Sequence, residues 1–250
     1  MQRLLFLLAA AAAPSAAVGG SAFAWHLTDV HVDPWYTVDA DAKKCYCETT
    51  AKCKVTGAGC DMTPGVVTAA EKWGNSEGNC ATPQSLYESG VAFMGRQQPN
   101  AHVYFTGDFA EAGASAPCHG DEAATAQQQI LDIIHWDYQT LKAAMPATTR
   151  IFGSLGNHDS VPGDVYYGLN DDGKGQQSWE YNNLTVLWGA EVGTDTATTA
   201  TLKRGGYYSS QAAKGLTVIS LNINYWVVQN SEAAKAGSRF ALKMMSLHLK

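Results

Sequence analysis

The sequence predicts an α/β layered fold, because two kinds of segment alternate along it. Short apolar runs typical of buried strands alternate along the chain with stretches whose apolar residues recur at the 3–4 spacing of amphipathic helices. The chain has 250 residues, of which 46% are hydrophobic, so it is long enough for a sizeable core. We find neither an internal repeat nor a linker, and we expect one domain over residues 22–250.

The predicted elements follow one another in a regular order. The strands are expected at residues 24–28, 102–106, 151–155 and 216–221. The helices are expected at residues 86–95 and 125–145, and Pro146 ends the second one. Residues 189–200 are rich in Gly, Thr and Ala and are predicted to form a loop.

Residues 1–21 have the pattern of a signal peptide. Arg3 precedes the apolar residues 4–13, and small residues follow at 15–17, as in a cleavage site. An apolar stretch of this length is too short to cross a hydrocarbon core of about 30 Å, and no other window predicts a transmembrane anchor. We therefore expect a secreted or endolysosomal protein. A buried or interfacial N-terminal segment is the alternative.

The cysteines also favour an oxidising compartment. Five of the six lie between residues 45 and 80, in a predicted irregular, Cys-rich insert over residues 39–80. An even number in an exported chain predicts disulfides, whose pairing the spacing leaves open. A zinc site is the alternative, but the spacings lack paired C-x2-C motifs. The sequon at Asn183 predicts a surface glycan.

The charge of the chain limits the class of partner. Lys and Arg number 17 against 23 Asp and Glu, which gives a formal net charge of -6 without any basic run. Nucleic-acid binding depends on basic side chains that neutralise phosphates, so we expect no nucleic-acid binding. If the substrate carries phosphate, metal ions would have to supply the positive charge.

Three of the predicted strands end in polar motifs. These motifs are Asp29-x-His31, Gly107-Asp108 and Gly156-Asn157-His158-Asp159. Ligands of open α/β sheets gather beyond the carboxyl ends of the strands, so the three motifs should converge. Mixed oxygen and nitrogen ligands suit Zn, Mn or Fe, and a carboxylate can bridge two ions that clamp a phosphoryl oxygen and activate a water. Each motif alone also fits an ordinary turn or helix cap, but their joint order favours a metal site.

These motifs resemble those of the calcineurin-like metallophosphoesterases, and longer stretches resemble one branch, the acid sphingomyelinase-like phosphodiesterases. The resemblance is carried by residues 25–36, 105–108 and 155–159, with support from residues 202–209 and 219–224. It covers residues 23–226. The fold that it implies is a metallophosphoesterase-type two-sheet β-sandwich flanked by helices, incomplete at the C-terminus.

The resemblance also implies a function. It implies metal-dependent hydrolysis of phosphodiesters by a metal-activated water at a binuclear zinc site, with sphingomyelin-like phospholipids or nucleotide-type compounds as substrates. The implied metal ligands are Asp29, His31, Asp108 as the bridge, and Asn157. His158 would protonate or stabilise the leaving oxygen, and Asp159 would orient His158. The resemblance further implies a Cys45–Cys80 disulfide.

The chain departs from the family pattern at two places. Ala112 stands where relatives have a catalytic histidine, and the residues after Trp226 match neither of the histidine blocks that supply three further ligands. We therefore expect the first metal ion to bind weakly and the second barely at all. The alternatives are a secreted non-catalytic binding protein with the same fold, or a phosphomonoesterase of the same superfamily.

Overall fold

A computed structural model describes residues 23–40, 42, 47, 70–75, 80–97, 101–110, 123–167, 175–193, 195–227 and 230. The elements are β1 (Ala24–Leu27), β2 (Val32–Asp33), β3 (Thr82–Pro83), α1 (Gln84–Gln97), β4 (His102–Phe105), α2 (Ala123–Ala144), β5 (Ile151–Gly153), α3 (Ser178–Val192), α4 (Thr196–Gly205), β6 (Tyr208–Ala213) and β7 (Leu216–Ser220). Four predicted strands and two predicted helices thus form at the expected places, with ends that differ by a few residues.

A parallel three-stranded sheet positions the predicted site. Its order is β1-β4-β5, and both strand pairs are parallel. Leu27 pairs with Phe105, which in turn pairs with Gly153, so the carboxyl ends of the three strands lie level with one another. Helix α1 precedes β4 and α2 joins β4 to β5, as parallel strands require a crossover. The α/β prediction is confirmed.

A hairpin of β6 and β7 lies beside this sheet. Its strands are antiparallel, and two hydroxyls fix it to the end of β5. Tyr208 Oη and Ser220 Oγ donate hydrogen bonds to the carbonyl of Gly153, at 2.8 and 3.1 Å. The implied two-sheet sandwich goes beyond these elements and stays a prediction.

The core lies between the helices and the sheet. The buried apolar positions of α2 follow the predicted 3–4 spacing, and they include Ile130, Ile133, Ile134 and Leu141. Tyr87 of α1 packs across them against Trp136, with 5.8 Å between ring centroids. Helix α2 ends at Ala144, two residues before Pro146, as predicted.

The predicted loop at residues 189–200 is wrong. Helix α3 runs through Val192 and α4 begins at Thr196, so helix covers most of this stretch. The side chain of Asp195 accepts a hydrogen bond from Thr198 N at 2.9 Å and caps α4, while Gly206 ends it in the left-handed conformation with φ of 67°. Threonine has a low helix propensity, and here the caps and tertiary packing override it.

The predicted Cys45–Cys80 disulfide is also wrong, because Cys80 pairs with Cys47. The carbonyl of Cys47 accepts a hydrogen bond from Thr37 N at 2.8 Å, and Cys47 is buried in a small cluster against which Cys80 packs. The two Cα atoms lie 5.3 Å apart, within the range of a disulfide.

Other predictions meet the structure only in part. The signal peptide at residues 1–21, Cys45, Ala112 and most of the insert at 39–80 lie outside the described residues. Asn183 is exposed on α3, where its Nδ2 donates to the carbonyl of Trp179 at 2.6 Å; its glycosylation stays a prediction. Among the described helices, none has the length and apolarity to span a membrane.

Candidate metal centre

The loops that come after β1, β4 and β5 lie side by side at one edge of the sheet. Asp29 N donates to the carbonyl of Gly107 at 3.1 Å, and His31 N donates to the carbonyl of Asp108 at 2.9 Å. These bonds continue the parallel pairing of β1 with β4 beyond the ends of both strands. The first two polar motifs are therefore held together by backbone, not by side chains alone.

Three side chains from these loops form a compact cluster. The ligand atoms of His31, Asp108 and His158 all lie within 4.8 Å of one another. His31 Nε2 is 3.5 Å from Asp108 Oδ2, and the two imidazole rings stand edge to face with centroids 5.0 Å apart. Imidazole nitrogens and a carboxylate oxygen at this spacing are a donor set that suits a zinc-like divalent ion.

The tautomer of His31 is set by its second hydrogen bond. Its Nδ1 lies 3.0 Å from the carbonyl oxygen of Ala110. A carbonyl can only accept, so Nδ1 carries the proton and donates it. The lone pair of a neutral ring is then on Nε2, which faces Asp108. Metal-binding histidines are commonly fixed in this way, so the residue fits a ligand role.

The two glycines of the motifs allow the carboxylate of Asp108 to reach this position. A Cβ on Gly156 would lie 2.0 Å from Asp108 Oδ1, and one on Gly107 would lie 2.1 Å from Gly156 N. Gly107 also has φ of 88°, in the region that favours glycine. Asp108 Oδ1 accepts a hydrogen bond from His158 N at 2.9 Å, so Asp108 connects directly to the third loop.

Asp159 ties the second and third loops together. Its Oδ2 accepts from Asp108 N at 2.9 Å and Gly156 N at 2.8 Å, and its Oδ1 accepts from Phe109 N at 2.8 Å and Ala110 N at 3.2 Å. Both oxygens of Asp159 therefore engage backbone amides, and its predicted role of orienting His158 stays a prediction. Burial, followed by the charge of Asp108, raises the pKa of Asp159 to about 7, against the lowering effect of these amides.

The remaining predicted metal ligands are Asn157 and Asp29, and their side chains have other hydrogen-bond partners. Asn157 shares a 3-10 turn with His158, and its Nδ2 donates to Asp164 Oδ1 at 2.8 Å, which leaves the amide oxygen as its acceptor. Asp29 is exposed and accepts a hydrogen bond from Thr28 Oγ1. Its carboxylate lies outside the cluster, which joins the predicted ligands His31 and Asp108 to the predicted catalytic residue His158.

Two buried acidic side chains near the site were not predicted. Asp137 of α2 and Glu180 of α3 are both 0% exposed, and burial raises the pKa of each well above its usual value. Glu180 accepts a hydrogen bond from Gln177 Nε2 at 2.7 Å. The charge of Asp159 adds to the rise in the pKa of both carboxyl groups. A search for regularly spaced apolar residues counts an acidic residue as exposed, so it cannot identify a buried carboxyl group.

Comparison with known proteins gives a consistent set of relatives. The chain is 28% identical over 209 residues to sphingomyelinase phosphodiesterase C of Dictyostelium discoideum, covering 83% of this chain and 40% of that protein. It is 26% identical over 214 residues to acid sphingomyelinase-like phosphodiesterase 3b of Mus musculus, covering 84% and 40%. It is 27% identical over 211 residues to a cyclic GMP-AMP phosphodiesterase of Bos taurus, covering 83% and 40%.

The chain thus spans 40% of the length of these curated relatives. No protein-family model matches it. All three relatives are nevertheless named as phosphodiesterases. By sequence, the chain is related to the acid sphingomyelinase-like phosphodiesterases, the branch of the metallophosphoesterases that its motifs resemble.

Proposed function

We propose that the protein hydrolyses phosphodiesters with the help of bound divalent metal ions. The cluster of His31, Asp108 and His158 at the carboxyl edge of a parallel sheet is the observation that carries this proposal. Two of the relatives are named for sphingomyelinase and cyclic GMP-AMP phosphodiesterase activities. Sphingomyelin-like phospholipids and nucleotide-type diesters share the bond that would be cleaved, and we propose this class as the substrate.

His31 and Asp108 are the proposed core of the metal site. The lone pair on His31 Nε2 and the Oδ2 atom of the buried Asp108 both point into the cluster, 3.5 Å apart. We propose zinc as the metal, two ions sharing Asp108, and Asn157 and Asp29 as further ligands. A divalent ion bound there would polarise a phosphoryl oxygen and lower the pKa of a coordinated water.

His158 is the proposed proton donor. Its backbone N–H is fixed on Asp108, which holds its imidazole beside the same group of donors. In hydrolysis, the oxygen of water forms a bond to phosphorus while the bond to the leaving oxygen breaks. A proton from His158 would neutralise that oxygen, so the products are a phosphomonoester and an alcohol.

Substrates with different leaving groups distinguish a metal ligand from a proton donor. We expect His31→Ala to lose bound metal and activity together. We expect His158→Gln to keep its metal and to hydrolyse an alkyl phosphodiester about 100-fold or more slowly, with a much smaller loss on bis-(p-nitrophenyl) phosphate, whose leaving group needs no proton. His135→Gln, on the exposed side of α2, is the control. Equal losses on both substrates, or metal loss in His158→Gln, would contradict the assignment.

We further propose that the protein is exported to the cell exterior or the endolysosomal system. The signal-peptide pattern at residues 1–21 and the Cys47–Cys80 disulfide support this proposal, since disulfides persist in oxidising compartments.

A secreted, non-catalytic metal-binding protein is the second candidate. It is favoured by the position of Asp29, whose carboxylate lies outside the three-residue cluster. Bound metal without turnover of any diester would support it. Turnover of p-nitrophenyl phosphate alone would instead indicate the phosphomonoesterase alternative.

A further inference from the structure

Two side chains from outside the three motifs hold the backbone just before the Asn157–Asp159 turn. Tyr166 Oη donates a hydrogen bond to the carbonyl of Gly156 at 2.8 Å. Asn224 Nδ2 donates to the carbonyl of Leu155 at 3.0 Å. Tyr166 and Asn224 are 1% and 5% exposed, so water does not compete strongly for these carbonyls.

A third residue joins the two donors. Asn230 Nδ2 donates both to the carbonyl of Tyr166 at 2.9 Å and to the carbonyl of Asn224 at 3.0 Å. The amide of Asn224 is itself oriented by Asn222 Oδ1, which accepts from its Nδ2 at 3.0 Å. Tyr166 and Asn224 are therefore held by their own neighbours before they contact the turn.

The carbonyls that they hold belong to the backbone that places the cluster. Gly156 donates its N–H to Asp159 and accepts from Tyr166 at its carbonyl, so both of its polar groups are bonded. Two residues later, His158 N bonds Asp108 Oδ1. A small rotation of this backbone would lengthen that bond and separate the His158 ring from His31.

We infer that Tyr166 and Asn224 are positioning residues for the metal centre, acting through the backbone of the turn that carries Asn157 and His158. This inference rests on the proposed function for its consequence in metal binding. The geometric part of the inference, that Tyr166 and Asn224 hold the backbone of this turn in place, is independent of the proposed function.

The first measurement is metal affinity. Tyr166→Phe removes one hydroxyl, and we expect it to weaken Co²⁺ binding, followed by visible absorption, about 10-fold or more. Asn224→Leu should act similarly. Tyr87→Phe is a matched control, because Tyr87 is 4% exposed and its Oη also donates to a backbone carbonyl at 2.8 Å, but on α2. It should lose some stability, although less than Tyr166→Phe, whose hydroxyl also lies 3.4 Å from the buried Glu180 Oε1, and its affinity should change by less than about 2-fold.

The second measurement needs no metal. Hydrogen exchange of the His158 amide in the metal-free, full-length chain should be about 10-fold faster in Tyr166→Phe than in Tyr87→Phe. If the unaltered protein binds no Co²⁺, the proposed function fails, and exchange alone decides the inference. If the exchange of this amide in Tyr166→Phe equals that in the control, the inference is overturned. Should Asn224→Leu not fold, Tyr166→Phe still provides both tests.

Discussion

Replacing Asp159 with asparagine should destabilise the protein more than the same substitution at the other aspartates of the site. Each carboxylate oxygen accepts two backbone N–H groups. An amide has only one oxygen, so in either orientation its NH₂ group faces two of these donors and leaves them unpaired. Asp159 is 0% exposed, and an unpaired buried donor costs about 1–3 kcal/mol, so we expect a loss of about 2–6 kcal/mol.

The lower part of this range is favoured, because asparagine also removes the repulsion between Asp159 and Asp108. Urea denaturation of the metal-free protein above pH 7, where Asp159 is ionised, followed by tryptophan fluorescence, measures the free energy of unfolding. Asp195→Asn is the control, since Asp195 is exposed at the N-terminus of α4, where water can replace a lost hydrogen bond, and asparagine caps helices equally well. The reasoning is refuted if the two variants unfold within about 0.5 kcal/mol of each other.

Three more predictions use the same unfolding assay. Gly156→Ala should cost about 3 kcal/mol or more, whereas Gly90→Ala, with open space on α1, should gain about 0.5–1 kcal/mol; similar effects would contradict the clash. With the pKa of Asp159 raised from 3.8 to about 7, its contribution should be complete below pH 3.8 and decline as pH rises through about 7, a decline that Asp159→Asn removes. Reducing the Cys47–Cys80 disulfide, which spans 33 residues, should cost about 3–4 kcal/mol, and peptide mapping should recover this pair and not Cys45–Cys80.

The convergence of the motifs could be predicted because it depends on strand order and strand ends. The apolar runs at β1, β4 and β5 are short and bounded by polar residues, and parallel pairing then aligns the loops at their carboxyl ends. Helices α3 and α4 are harder to predict from the sequence, because threonine and asparagine lie between their apolar residues. The cap at Asp195 and the glycine at 206 were the available signals for α4.

The finer arrangement of the site could not be predicted from spacing. Asp29 and His31 are two residues apart, yet only His31 joins the cluster, because the backbone between them leaves the extended conformation of β1. The alternation of a strand no longer decides side-chain direction there. Asp159 is a similar case: its partners are backbone amides, which every residue except proline has and no composition distinguishes.

Backbone conformation explains how the cluster can be built before any cation binds. Asp29, His31 and Asp108 all have positive φ, at 52°, 45° and 55°. For non-glycine residues this conformation costs about 1–2 kcal/mol each, and it persists only where surrounding contacts impose it. The contacts here are the bonds from Asp29 N and His31 N to the neighbouring loop and those that Asp159 accepts. Because these are bonds of the folded backbone, the fold itself holds the His31 and Asp108 donors together, and metal affinity should depend on residues such as Asp159 that never touch the ion.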